Sequence, residues 1–364
     1  MSKLGSLERI RLKGFRSIRE MDLVLKPLNV LIGPNGAGKS NFISFFKFMN
    51  KLLEKDLQLH VRAQLNGADR TLFFGRKTTD KLSIDLHFPP NSYRAELVPT
   101  TDDGLVFASE AAWFHADEIG YRGGHKRHPL APPGSLESAL PAAGSGTAAQ
   151  HVAGYLADWK VYHFHDTSET AKVKGAYSLH ATQRLMPQGD NLAAFLYGLR
   201  DTEAYARIVN TVQRVAPFFQ RFEFQPEPND LIRLRWKHKG SDDYFDATML
   251  SDGTLRFICL ATLLLQPNPP TILLMDEPEL GLHPFAIQLL AALMRSASEH
   301  TQIIASTQSV TLANEFGWDD IVVVDQTANA SVFRRLQEAE VVQWLEQYRM
   351  GDIWQMNLLG GTPE

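Results

Sequence analysis

Between residues 7 and 25 apolar and polar positions alternate on either side of a break at 14–19, which predicts two antiparallel strands. Leu28-Asn29-Val30-Leu31-Ile32 reads as a short buried strand. After it, Phe42, Phe45, Phe46, Met49 and Leu53 recur at helical spacing, and that helix is expected to run to about residue 59. Three strands of an antiparallel sheet are predicted at 81–88, 92–99 and 105–115, with turns at Pro89-Pro90-Asn91 and Thr101-Asp102-Asp103-Gly104. Residues 122–146, rich in Gly, Pro, Ser and Ala, read as an exposed, mobile loop. Helix returns at 147–159, followed by a strand at 161–164. Helices at 191–200 and 202–218 come next, then strands at 221–225, 231–238 and 244–247. From residue 252 the pattern alternates strictly: helix 252–265, strand 271–275, helix 284–298, strand 302–305, helix 310–316, strand 321–324. Such alternation predicts a parallel sheet flanked by helices.

Composition narrows the class. The 364 residues are 44% hydrophobic, enough for a full core, and their length allows two domains or one with a large insert. A net charge of −4 gives no global basic field. The single Cys259 excludes an internal disulfide and a cysteine-based zinc site. The longest apolar run, 257–265, is far short of the roughly 20 residues a membrane span needs. The N-terminal stretch has no continuous apolar core, so no signal peptide is expected, and a cytoplasmic setting is the simplest expectation.

Gly33-Pro34-Asn35-Gly36-Ala37-Gly38-Lys39-Ser40-Asn41 fits G-x-x-x-x-G-K-[ST], and it lies between a predicted strand and a predicted helix. Asn35, Gly36, Ala37, Gly38, Lys39, Ser40 and Asn41 would cradle phosphates with backbone N–H groups and the helix N-terminus. Lys39 would reach the β- and γ-phosphates, and Ser40 would hold Mg²⁺. A glycine-rich turn without ligand is the plain alternative, but strand, loop, Lys-Ser and helix all agree. Downstream, Thr271-Ile272-Leu273-Leu274-Met275-Asp276-Glu277-Pro278 is an apolar strand ending in two carboxylates. In a protein with that loop this is a Walker B strand: Asp276 would bind Mg²⁺ and Glu277 would polarise the attacking water. Leu250-Ser251-Asp252-Gly253-Thr254 opens the helix before it, with Ser251 as N-cap, and makes a second anion site. One nucleotide needs only one P-loop, so the second site implies a partner.

The order of these motifs resembles that of ABC-type ATPases, in which the Ser-Asp-Gly turn stands at the signature loop. Leu12-Lys13-Gly14-Phe15-Arg16-Ser17-Ile18 and Glu279-Leu280-Gly281-Leu282-His283-Pro284 resemble the RecF/SMC/OLD branch of head ATPases. More narrowly, the chain is similar to bacterial predicted ATPases of the AAA group, related to ATPase subunits of phage-defence systems such as Septu. The resemblance covers residues 7–55 and 245–325. It implies an α/β P-loop NTPase of ABC-ATPase head type, with an antiparallel β subdomain and a helical insert. Residues 1–59 would form the N-terminal part of the head, 60–230 an inserted β and helical subdomain, and 231–364 the C-terminal part.

The resemblance also assigns roles. ATP and Mg²⁺ are the implied ligands. Ser251, Asp252 and Gly253 would meet a partner's nucleotide in trans, in a homodimer or higher homo-oligomer. Where the family has a switch histidine, this chain has Gln308, which can hydrogen-bond a γ-phosphate but cannot accept a proton as imidazole does. By order, the glutamine loop falls on His165 and Asp166, and for His165 a packed, hydrogen-bonded histidine is an equal reading. No Toprim pattern follows Asp325, so an effector is expected in a separate polypeptide encoded nearby. The implied function is an ATP-binding and hydrolysing head that dimerises on ATP and acts as a switch or sensor in phage defence or DNA repair. A transporter's ATP-binding subunit and a non-catalytic assembly scaffold are the other classes, and no membrane contact is expected. Arg233, Arg235, Lys237, His238 and Lys239 form a basic strand and turn where nucleic acid would touch, or simply a solvated face. His125, Lys126, Arg127 and His128 offer a weaker basic cluster in the 122–146 loop.

Overall fold

The computed structural model describes residues 5–120 and 124–361. Two strands, β1 (Arg9–Phe15) and β2 (Ile18–Val24), form the predicted hairpin. β3 (Leu28–Ile32) is buried along its whole length and leads into the phosphate loop. β4 (Leu82–Phe88), β5 (Asn91–Pro99), β6 (Leu105–His115) and β7 (His125–Pro129) join the hairpin in a six-stranded antiparallel sheet of order β2-β1-β4-β5-β6-β7. One face alternates inward, with Ile10, Leu12, Ile84, Leu86, Tyr93 and Phe107 buried against the helix Lys39–Leu53. The other face is charged and faces solvent, as antiparallel sheets allow.

β8 (Lys160–Tyr162) is the edge strand of the second sheet. Short strands β9 (Tyr177–Ser178), β10 (Phe219–Glu223), β11 (Leu231–Ile232), β12 (Arg235–His238) and β13 (Tyr244–Asp246) build two small sheets beside it. β14 (Ile272–Asp276), β15 (Gln302–Thr307), β16 (Ile321–Thr327) and β17 (Ala330–Arg335) complete the main sheet, of order β17-β16-β3-β15-β14-β8. All its neighbours run parallel except β16 and β17. A strand from the N-terminal motif therefore lies between two strands from the last quarter of the chain.

Several expectations are corrected. The phosphate-loop helix stops at Leu53, not near 59, because Lys55 turns left-handed (φ 57°). The chain then re-enters helix at Leu57, where the Glu137 carboxylate accepts the free Leu57 and Gln58 N–H groups at 3.1 and 3.2 Å. That cap comes from 80 residues away, so no local pattern announces it.

The 122–146 segment is not simply a loop. Residues 121–123 lie outside the described residues, but His125–Pro129 pairs with β6 as an edge strand. The stretch beyond β7 is pinned around Glu110, which is 1% exposed. Its carboxylate accepts from Tyr93 Oη (2.7 Å), the Ser138 hydroxyl, and the N–H groups of Ala131 (3.2 Å) and Ala139 (3.0 Å). A buried carboxylate is tolerated only when so satisfied.

The predicted strand 231–238 divides into β11 and β12, in different sheets. Arg233 and Arg235 consequently do not form one open basic face. Both pair with Glu227, at 3.2 and 2.9 Å, and Arg235 also meets Asp246 at 3.3 Å. The strand at 321 continues to Thr327 and returns as β17, a hairpin closed by left-handed Ala328 and Asn329.

Candidate nucleotide site

β3 delivers its last residue to the loop 33–38, and the helix starts at Lys39 with Gly38 as a left-handed N-cap (φ 116°). A side chain at 38 is impossible: its Cβ would lie 2.0 Å from Ser331 Oγ and 3.0 Å from Ser17 Oγ. Lys39 is buried, and its ammonium donates to the carbonyls of Gly33 (2.6 Å) and Pro34 (3.0 Å). Burial lowers its pKa, while Glu277, Asp276 and Glu279 pull the other way. Those three carboxylates are the tip of β14, so the fold brings together two motifs separated by more than 200 residues of chain.

Ser40 is exposed, with its hydroxyl unspent among the described residues. Asn35 and Gly36 are exposed at the loop crest, and Ala37 is buried. The Asn41 side chain has a structural task besides: its amide donates to Ser17 Oγ (2.6 Å) and its carbonyl accepts from Arg16 (3.3 Å). It is a strut between the helix and the β1–β2 turn.

At the Walker B end, the Ser306 hydroxyl donates to Asp276 Oδ1, fixing the carboxylate. Glu277 N–H donates to Ser306 O at 3.0 Å, and Glu277 itself is left-handed (φ 44°), an uncommon conformation for a residue with a side chain. The Gln308 amide donates to the Glu277 carboxylate. Glu279 is buried, accepts from the Thr307 hydroxyl, and has its pKa raised by burial. Thr307 Oγ1 in turn accepts the Ser309 N–H at 2.9 Å, so Glu279 and Thr307 hold the turn that presents Gln308.

Ser251 caps the helix Asp252–Leu265, accepting from Thr254 N–H at 3.3 Å. Gly253 packs on the loop after Walker B, where an added Cβ would sit 2.6 Å from Gly281 O. Asp252 points toward Lys174 (3.8 Å). Among the described residues no hydrogen bond or ion pair links residues 251–253 to the phosphate loop of the same chain.

Of the residues assigned to the glutamine loop, His165 reaches Walker B: its Nε2 lies 2.8 Å from Asp276 O. Asp166 is spent locally, accepting from Ser168 N–H (3.1 Å) and Oγ (2.7 Å). Arg256, not singled out by sequence, is 8% exposed and ties three segments. Its guanidinium donates to Phe164 O (2.9 Å), His165 O (3.0 Å) and Leu280 O. Its place three residues beyond Gly253 was the available signal. Sequence also missed a cleft of about 960 Å³ beside the phosphate loop, lined by Arg16, Asn41, Asn66, Phe74, Lys77 and Asn329.

Among the described residues no three His, Cys, Asp or Glu side chains converge as a metal centre, so a cation here would be shared with a nucleotide's phosphates. The exposed Ser40 hydroxyl and the anchored Asp276 carboxylate are suited to that.

Residues 28–314 match the family described as "AAA domain, putative AbiEii toxin, Type IV TA system". The chain belongs to this family. This AAA-domain protein is 32% identical over 111 residues to the OLD nuclease of Thermus scotoductus. That match spans 30% of this chain and 20% of the nuclease. Its fold is that of SMC ATPase heads. It superposes on an Smc head bound to the C-terminal winged-helix domain of ScpA with a TM-score of 0.58 and 14% identity, covering 93% of this chain and 99% of that one. The Smc head with an extended coiled coil, bound to the C-terminal domain of ScpA from Pyrococcus furiosus, gives 0.52 and 14% over 94% and 98%. No helix among the described residues is long and apolar enough to cross a membrane.

Proposed function

We propose that this chain binds ATP with Mg²⁺, hydrolyses it, and couples the cycle to the closing and opening of two copies. Lys39 and the loop N–H groups would hold the β- and γ-phosphates, Ser40 and Asp276 the cation, and Glu277 the attacking water. The nucleoside would extend into the cleft beside Arg16 and Asn41. One observation carries the paired arrangement: Ser251 is exposed, free of its own phosphate loop, and neighboured in sequence or packing by exposed Met249 and Leu280. A nucleotide on a second copy would complete that surface, and loss of its γ-phosphate would release it.

Sedimentation of Glu277→Gln with ATP tests this reading: a dimer is expected, and the added change Ser251→Arg should return it to monomer with ATP still bound. Monomers at saturating ATP across a wide concentration range would refute it. Kinship with the OLD nuclease and with a toxin–antitoxin family supports a place in phage defence or DNA repair, acting on an effector encoded nearby. Loss of protection against phage on Lys39→Ala, in cells carrying the neighbouring genes, is the expected outcome.

A further inference from the structure

The basic cluster His125-Lys126-Arg127-His128 is split by the pleat of β7, because alternate residues of a strand face opposite sides. Arg127 stands opposite Trp113 and joins the solvent face, its guanidinium 6.0 Å from the Trp113 ring. Lys126 and His128 stand opposite Phe114 and Ala112, whose side chains pack on the core, so these two basic groups turn inward. Neither side chain makes a hydrogen bond or ion pair among the described residues. They face the start of the helix Ala148–Ala157, which packs across β5 and β6. Between the helix and the strand edge lies a cavity of about 580 Å³, within the roughly 300–1,000 Å³ of small-ligand sites.

The lining of this cavity is one-sided in charge. Lys126, His128 and His151 are on its walls and no carboxylate is, in a chain whose net charge is −4. Ala148, the first residue of the helix, also lines it, and its N–H finds no acceptor among the described residues. A free N–H at a helix start favours an anion. The inner wall carries Asn91 and Tyr155, which are neighbours of each other. Asn91 is 3% exposed, and neither its Oδ1 nor Tyr155 Oη has a hydrogen-bond partner among the described residues. Buried polar atoms are nearly always satisfied, so an acceptor and a hydroxyl left over on one wall point to a ligand. The flat apolar surface comes from Phe114 and from Tyr155, whose ring stacks on His151 with centroids 6.4 Å apart.

We propose that this cavity binds a phosphorylated small molecule of nucleoside monophosphate size. Lys126, His128 and the helix start hold the phosphate, and the body lies along Phe114 and Tyr155. The proposal does not depend on the nucleotide reading of the phosphate loop. Inward charge on an edge strand also discourages pairing with another chain. Lys126→Glu keeps an inward charge but inverts its sign, and so separates the two roles.

The test is calorimetric titration of the full chain with AMP, adenosine and inorganic phosphate. AMP should bind at least tenfold more tightly than either of the others. Lys126→Glu should weaken AMP at least tenfold, and Lys126→Arg should retain it. Ala148→Pro removes one N–H at a helix position that tolerates proline, and should weaken AMP as well. AMP binding should remain in Lys39→Ala, which removes the ammonium of the phosphate loop. Independently of any variant, 8-azido-AMP should label a peptide containing His151 or Tyr155. Absence of AMP binding, phosphate bound as tightly as AMP, or binding kept in Lys126→Glu and lost in Lys39→Ala overturns the proposal.

Discussion

The side-chain amide of Gln308 is hydrogen-bonded to the carboxylate of Glu277. A neutral donor therefore sits on the group expected to draw a proton from water, and it fixes where that carboxylate points. The amide can also turn to a γ-phosphate, which would free the carboxylate at the moment nucleotide arrives. Glu277→Gln should keep ATP binding and lower phosphate release about 10²- to 10⁴-fold. Gln308→Ala should lower it less. Wild-type turnover in Glu277→Gln would remove the base assignment.

Lys39 holds two carbonyls of its own loop with a charged donor. Lys39→Ala should abolish binding of a fluorescent ATP analogue. Lys39→Arg should fail as well, since the planar, forked guanidinium does not match a pocket shaped to a compact ammonium. Retained affinity in either variant would show the phosphate at another place.

Arg256 satisfies three backbone carbonyls from a nearly buried position. Arg256→Ala leaves them without donors and should destabilise the fold by about 3–5 kcal/mol, read as a shift in the urea midpoint. Arg256→Lys should recover little, because one ammonium cannot reach all three.

Glu110→Ala strips four donors of their acceptor and should cost about 3–5 kcal/mol. Limited proteolysis should then cut within residues 130–146, and wild type should resist it there. Equal resistance in the variant would show that the segment is held by other contacts.

His60, 5% exposed, has its pKa lowered by burial, with Gln64 at 2.8 Å only partly offsetting this. A depressed histidine contributes stability that is present above its unfolded value near 6.5 and is lost as pH falls through its folded value. The urea midpoint should decline between about pH 7 and pH 5, and His60→Phe should flatten that decline. An unchanged pH profile in His60→Phe would locate the effect elsewhere.

The main sheet and both nucleotide motifs are legible in the sequence because each is local: an apolar strand, then a turn whose glycines or carboxylates carry the chemistry. The helices Asp252–Leu265 and Pro284–Ser298 begin and end as predicted for the same reason, their caps being Ser251 and His283 beside them. What escaped the sequence depends on partners far along the chain. Glu137 caps a helix 80 residues upstream. Glu110 gathers a segment that, by composition alone, reads as loose. Arg233 and Arg235 read as a free basic stripe until Glu227 folds back onto them. Asn41, inside the phosphate motif, is claimed by Ser17 and Arg16 of a different hairpin.

That last contact has a mechanical side. Ser17 lies in the β1–β2 turn of the antiparallel sheet and Ser331 on β17 of the main sheet, and their hydroxyls meet at 2.7 Å beside Gly38. The Ser331 N–H also donates to Ser17 O at 2.7 Å. The two layers are thus riveted at the anion cradle itself, with no slack between rivet and cradle. Tilting one layer against the other would therefore load this joint, and with it the loop it braces.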